Sequence, residues 1–474
     1  MAEKVLLINS NTEINPNPVL PGGMAYVASG LFEKGFEVSC ADLCFKKNWR
    51  QYLKTEIEKI SPDFIGISIR NIDNHDESLP KFYPESVKHI IEYCRVLSKA
   101  RIFCGGAALA VMPENIFRYL GADAGIFGDG EETAPALLKS WSSDSDCSKI
   151  PGLVYEKDGQ ISVNPAKGIG DLDSINYEGL SRWIDLKPYF DREASYPVQG
   201  KRGCPFDCIY CTYAKGEGKH YRFRSAERIA QEIFLAHEKY RPKMIEFVDS
   251  IFNHPPGFAE DICRELIKIN SRARLHTIEL NPGFLTPELI SLMERAGFVS
   301  CGLTCESASE TVLKNLRKSY GVKEVVAAAK NLRNSRMKKL WVFLLGGPGE
   351  DADTVRETLS FVRKELGRGD VVFFNIGIRI YPGTEIEAIA RKEGIINAST
   401  DLLFPVFYIS PKITRKAIEE MIRQEKNNNI VTIKDSRLPY LSTLLRLAGL
   451  LRLKAPYWSY TPVFNRIRSL LWLK

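Results

Sequence analysis

Lys201-Arg-Gly-Cys-Pro-Phe-Asp-Cys-Ile-Tyr-Cys211 is the most informative stretch of this 474-residue chain. Three thiols, Cys204, Cys208 and Cys211, follow one another at C-x3-C-x2-C spacing, in a loop expected just after an apolar strand. Three closely spaced cysteines without a fourth suit a [4Fe–4S] cluster with one iron left open. A closed structural zinc site takes four ligands, and His220, nine residues on, is the nearest candidate for the missing one. The chain holds eleven cysteines, an odd number scattered over a large and apparently cytosolic sequence. Metal or redox chemistry therefore accounts for this tight cluster better than a disulfide framework does.

Downstream of the thiols, short apolar runs recur at Lys243–Val248, Leu275–Leu280, Val299–Thr304, Lys339–Leu345 and Val371–Ile380, separated by helix-length segments. This repeating βα unit predicts a closed or partly closed barrel, with function on the loops after its strands. Upstream, strands are expected at Val5–Asn9, Phe36–Leu43, Asp63–Arg70, Arg101–Cys104 and Ala124–Phe127. Helices between them are expected near Met24–Lys34, Trp49–Ile60 and Pro84–Ser98, which makes an α/β, doubly wound parallel sheet. Ligands of such sheets bind at the carboxyl ends of the strands. The expected division is residues 1–141, a linker 142–197 with a hairpin around Asp158-Gly159, a partial (β/α) barrel 198–390, and a small helical C-terminal region 391–474.

With its aromatic Tyr210 just before the third Cys, the thiol loop resembles the signature of the radical S-adenosylmethionine (SAM) superfamily. The resemblance implies that the open iron chelates the amino and carboxylate groups of SAM, and that one electron releases a 5′-deoxyadenosyl radical. Further segments resemble the same family in order. Phe247-Val-Asp-Ser-Ile-Phe252 would place Asp249 near the site. Gly302-Leu-Thr-Cys-Glu-Ser307 would bring Glu306 to the SAM ribose or amino group, with Ser307 nearby. Leu345-Gly-Gly-Pro-Gly-Glu350 would let backbone approach SAM at Gly346 and Gly347, and Ile380-Tyr-Pro-Gly-Thr384 matches the motif after the last strand. Plainer readings stand beside these: Glu306 as an ordinary strand-end acid, Asp249 as a helix N-cap, and the glycines as a turn with Pro348. Cys301 and Cys305 read as small core residues.

A doubly wound sheet ahead of such a barrel resembles the cobalamin-binding class of these enzymes. Gly105-Gly106 after the fourth strand and Gly128-Asp-Gly-Glu131 after the fifth are similar to that class's loops around the corrinoid tail, so Gly105, Gly106, Gly128, Gly130 and Glu131 are implied cobalamin contacts. No G-x-G-x-x-G follows the first strand, so a dinucleotide site is not supported. Many cobalamin domains carry Asp-x-His-x-x-Gly in the first βα loop, but residues 10–23 contain no His. The nearest echo is Asp73-Asn-His75, where His75 reads as a cobalt ligand or as a solvated loop residue. The preferred reading is cobalamin without a protein His ligand, its lower face covered by Arg70 and Asn71; a surface salt bridge is the alternative for Arg70.

Net charge is +7, and the segment Ser436–Lys474 carries seven Lys/Arg and no acid, so the rest is near neutral. No broad nucleic-acid footprint is expected. Neither a signal peptide nor a transmembrane helix is expected, which implies a cytoplasmic protein. The Leu/Arg-rich tail, residues 438–474, reads either as an interfacial segment on anionic lipid or as a helix packed on the barrel. The resemblance implies a [4Fe–4S] cluster, SAM and cobalamin as cofactors, and flavodoxin or ferredoxin as low-potential donor. The implied reaction is methyl transfer from SAM by way of methylcobalamin to an unreactive carbon of a natural-product, peptide or lipid-like substrate. The alternatives are a cobalamin-dependent cyclisation or rearrangement, and a non-catalytic Fe–S or zinc protein.

Overall fold

A computed structural model describes residues 2–15, 17–177, 179–425, 429–432 and 453–471. The first sheet holds β1 (Lys4–Asn9), β2 (Glu37–Asp42), β3 (Phe64–Ser68), β4 (Arg101–Gly105), β5 (Ala124–Ile126), β6 (Leu153–Lys157) and β7 (Gln160–Val163), in the order β2-β1-β3-β4-β5-β6-β7. Strands β1 to β5 are parallel, with β1 between β2 and β3. The strands are continuous apolar runs because helices cover both faces. Val5 and Leu7 face one apolar layer, Leu6 and Ile8 the other. The helix Trp49–Ile60 starts where the Asn48 side chain accepts from the Gln51 N–H, and Gly22–Glu33 gives way to Gly35 at φ +93°.

The hairpin expected in the linker forms, but it is part of the first sheet: β6 pairs antiparallel with β5, and β7 with β6. Sequence periodicity sees two short strands; which edge they join is a tertiary matter. The rest of the linker is also well packed. Tyr177, Leu180 and Tyr189 are buried in an apolar layer that runs without a break from Val5 and Leu7 to Tyr196 and Val198 of the second unit.

The second sheet takes β8 (Tyr196–Val198), then, beyond a small antiparallel pair β9 (Lys201–Arg202) and β10 (Arg222–Phe223), β11 (Ile245–Phe247), β12 (Leu275–Leu280), β13 (Phe298–Glu306), β14 (Lys338–Leu345) and β15 (Val371–Ile376). After the short pair β16 (Ile378–Arg379) and β17 (Phe407–Tyr408), β18 (Ile430–Thr432) joins the far edge. The order β18-β15-β14-β13-β12-β11-β8 is parallel throughout, and the neighbours from β8 to β15 are sequential: a partial barrel. The run expected as one strand, Val371–Ile380, breaks at Gly377, whose φ of +87° no extended strand tolerates.

The described part of the tail packs beneath this barrel. Ala455 and Tyr457 are buried against Met244, and the Arg274 guanidinium donates to the Ala455 carbonyl at 2.5 Å. Residues 438–452 and 472–474 of the basic segment lie outside the described residues. Among the described residues no helix is long and apolar enough to cross a membrane.

Candidate active site

The carboxyl ends of the two sheets face each other across a cavity of about 730 Å³. That is within the usual range for small-molecule sites. Its walls include Arg70, Gly105, Gly106, Gly128, Gly130 and Glu131 from the first unit, and Gln199, Tyr210, Cys211 and Tyr213 from the second. Two sets of residues far apart in sequence thus share one space. Asn71 is exposed and not part of this wall.

The thiol loop occupies the junction. Cys204 is buried, Cys208 half-buried and Cys211 exposed. The loop is held by backbone bonds from Cys204 N–H to Gly218 O (3.0 Å) and from Cys211 N–H to Cys208 O (3.1 Å). Cys204 feels the charge of Cys208, and Cys211 that of both others, so the three thiols share one locality. Among the described residues, no three His, Cys, Asp or Glu side chains are grouped tightly enough for a single metal ion. Three thiols in one short loop, with no fourth ligand grouped with them among the described residues, fit a polynuclear cluster with an open iron as a donor set. Behind the loop lies Lys201, fully buried, its Nζ donating to the Phe252 carbonyl (3.2 Å) and standing 4.0 Å over the Phe258 ring. Burial lowers its pKa to about 8.

Glu306, Tyr210 and Lys318 come together beside the loop. The Tyr210 hydroxyl donates to Glu306 Oε1 at 2.6 Å, and Lys318 Nζ lies 3.3 Å from both. Glu306 ends β13 at φ +60°, across a register shift between β13 and β14. A left-handed, nearly buried glutamate is strained, and such strain concentrates at ligand sites. Ser307 is engaged elsewhere: its hydroxyl pairs with Thr358 Oγ1 (3.2 Å) and accepts from the Ser309 N–H. Asp249 lies behind the loop and not in the cavity; one oxygen accepts from the Gly200 and Lys201 N–H groups at 2.7 and 2.9 Å, which positions the thiol loop. Gly346 and Gly347 donate their N–H groups to Glu350, and a Cβ on either would meet protein atoms. Gly346, at φ +95°, is required by its turn.

The first unit's loops are also tied to the second. Arg202, two residues before Cys204, meets Glu131 at 2.6 Å and Asp129 at 2.9 Å, all buried; Arg222 also reaches Asp129. The Glu131 carboxylate therefore faces Arg202. At Gly106 (φ +109°) a Cβ would stand 2.5 Å from the Ile69 carbonyl oxygen, so glycine is demanded by the backbone crossing itself. His75 lines the cavity but its Nε2 is hydrogen-bonded to Tyr381 at 2.9 Å, and burial lowers its pKa. Arg70 reaches into the cavity with no ion pair among the described residues. A large, glycine-walled and mostly apolar cleft with Arg70 at its edge fits a corrinoid as a cradle.

Several of these residues escaped sequence reasoning. Lys318 sits in an unremarkable Arg-Lys-Ser run. Arg202, Asp129, Asp73 and Arg379 are pairs only in space. Glu246 and Glu279 carried a signal, an acid inside an apolar strand pattern.

Comparison with known proteins agrees with this architecture. Residues 198–362 match the Radical SAM superfamily model, and residues 16–138 the B12 binding domain model. An uncharacterized methyltransferase of Pyrococcus horikoshii is 27% identical over 401 residues, covering 81% of this chain and 82% of the relative. The anaerobic magnesium-protoporphyrin IX monomethyl ester cyclase of Synechocystis is 27% identical over 221 residues, 45% of this chain and 44% of the cyclase. The same fold occurs in TsrM, a radical SAM methyltransferase from Kitasatospora setae with cobalamin and a [4Fe–4S] cluster bound. There the TM-score is 0.86 at 20% identity, over 99% of this chain and 100% of TsrM.

Proposed function

From a chain that belongs to the radical SAM superfamily and carries a B12-binding domain ahead of its radical SAM domain, we propose methyl transfer from SAM to an unactivated carbon of a small molecule. The bound cluster, SAM and cobalamin supply the radical and methyl-transfer chemistry; the residues of the chain hold and orient them. Cys204, Cys208 and Cys211 hold the cluster. Tyr210 and Glu306, with Lys318 balancing the charge, form the polar rim for SAM; Asp249, Gly346 and Gly347 shape the loops behind it, and Ser307 braces the end of β13 through Thr358. Gly105, Gly106, Gly128 and Gly130 would bound the corrinoid cradle, Glu131 would hold Arg202 beside it, and Arg70 would stand against the bound corrinoid as a guanidinium, which stays charged and cannot coordinate cobalt. Residues 1–141 serve as the cobalamin-binding part and 198–390 as the SAM part. A low-potential flavodoxin or ferredoxin supplies electrons.

One observation carries the reading: a single cavity is lined both by the thiol loop at Tyr210–Tyr213 and by the carboxyl ends of the first sheet. Two cofactors and a substrate held in such a space are shielded from water, which suppresses side reactions of radicals. The likeness to a characterised methyltransferase fold and to a methyltransferase relative supports transfer over cyclisation. The test is anaerobic reconstitution with iron, sulfide, hydroxocobalamin, dithionite and methyl-deuterated SAM, followed by incubation with anaerobic small-molecule extracts. Release of 5′-deoxyadenosine and S-adenosylhomocysteine with a labelled methyl in one product is expected. SAM cleavage with a product that lacks the label supports cyclisation instead; no cleavage at all refutes an enzymatic role.

A further inference from the structure

The lumen of the barrel holds two acids that the cofactors proposed above leave unassigned. Ile245 and Phe247 belong to the outer layer beneath the helices, so Glu246 between them faces inward. Leu280 is likewise outward, and Glu279 beside it faces the lumen. The inward positions of the facing strands are apolar up to Asn375 at the end of β15: Val342 and Leu344 alternate with Trp341, Phe343 and Leu345 of the outer layer, and Phe373 with Val372 and Phe374.

Charge is distributed unevenly around this lumen. Arg70 acts on Glu246, and Lys318 is engaged by Glu306 and Tyr210. Glu279 stands between these groups, under the influence of Glu306, Lys318 and Glu246, yet its carboxylate has no hydrogen bond or ion pair among the described residues. Its burial is incomplete, so the oxygens still reach the lumen. A carboxylate held this way in apolar surroundings is unfavourable until a donor meets it. Burial first, and then the charge of Glu306, pushes its pKa up to about 8. A bound cation reverses that effect and makes an attraction stronger than in water.

We infer that Glu279, flanked by Glu246, is the recognition point for a protonated amine on the substrate, whose apolar body lies against Val342, Leu344 and Phe373. This places the amine between the SAM rim at Glu306 and the corrinoid edge at Arg70, and it rests on the function proposed above. Acidic and neutral analogues of the same shape are expected to bind less tightly, because neither supplies the positive charge that would stabilise an ionised Glu279 in this buried position.

The test uses the holoenzyme and three matched probes, phenethylamine, 2-phenylethanol and phenylacetate, followed by equilibrium dialysis at constant pH. Phenethylamine is expected to bind at least ~10-fold tighter than the other two, about one charge-assisted contact. Glu279→Gln is expected to reduce that preference to within ~3-fold while SAM affinity stays within ~3-fold, and Glu279→Asp to retain most of it. Unchanged cluster absorbance in both variants shows that they fold. No preference for the amine, including no binding by any probe, overturns the inference. So does a Glu279→Gln variant that keeps the preference and loses SAM instead, for then Glu279 serves the cofactor. Failure of the wild-type protein to cleave SAM is a separate result, bearing on the proposed function alone.

Discussion

Removing Arg379 is expected to loosen the junction of the two units more than any surface change. Its Nε stands 2.7 Å from Asp73 Oδ2, and both side chains are essentially buried, at 3% and 0% exposure. Arg379 Nη2 also donates to the Leu402 carbonyl at 2.9 Å. The pair therefore joins the loop after β3 to the β16–β17 arm, near His75 and Tyr381, which are themselves hydrogen-bonded. Arg379→Met leaves the Asp73 carboxylate uncompensated, an effect of about 3–5 kcal/mol. Divided by about 1.4 kcal/mol per decade, that is roughly two to three and a half orders of magnitude in local opening. Hydrogen exchange of peptides spanning 70–82 and 376–408 reads it directly, without requiring two-state unfolding of a multidomain chain. Asp73→Asn instead leaves the Arg379 guanidinium without its counter-ion, but Arg379 still donates to the Leu402 and Leu403 carbonyls, so this variant is expected to act more mildly. The double variant should lose less than the sum of the singles, because only there are both buried charges gone. A change below ~10-fold in Arg379→Met, or a double variant equal to the sum of the singles, refutes the reasoning.

Two further outcomes follow from local geometry and titration. Gly106→Ala must place a Cβ 2.5 Å from the Ile69 carbonyl oxygen at φ +109°. A lower melting temperature and weaker cobalamin retention on gel filtration are expected, whereas Gly369→Ala, away from the cavity and with open space around it, changes neither. His276 is buried under the barrel beside Ser300 (2.8 Å), and burial lowers its pKa to about 4 from an ordinary 6.5. Its contribution is complete above pH 6.5 and is lost as pH falls toward 4, by about 3 kcal/mol in order of magnitude. Urea denaturation of His276→Asn should therefore show a shallower loss of stability between pH 6.5 and 4 than the wild type; parallel profiles would count against it.

Much of this protein was legible before any fold was known, because the decisive signals are local. Cys204, Cys208 and Cys211 lie within eight residues, so their spacing alone states what they can ligate. Alternating apolar strands and helix-length gaps are enforced by burial on both faces, and the strands appeared within a few residues of their expected places. The hairpin's attachment to β5, the break at Gly377 and the packing of residues 453–466 were not legible, since each depends on a surface made elsewhere in the chain. The site shows the same division. Glu306 was readable from its motif, but its αL backbone and its partner Lys318 were not. Asp249 and Glu131 are legible as acids in their motifs, but their partners are not: the fold gives one the Gly200–Lys201 backbone and sets the other against Arg202 in the cavity wall. A sequence determines which groups can ionise, ligate or turn, for those are properties of single residues and short spacings. Which groups meet is decided by tertiary packing, because a salt bridge or a lumen is made by residues that covalent order leaves far apart.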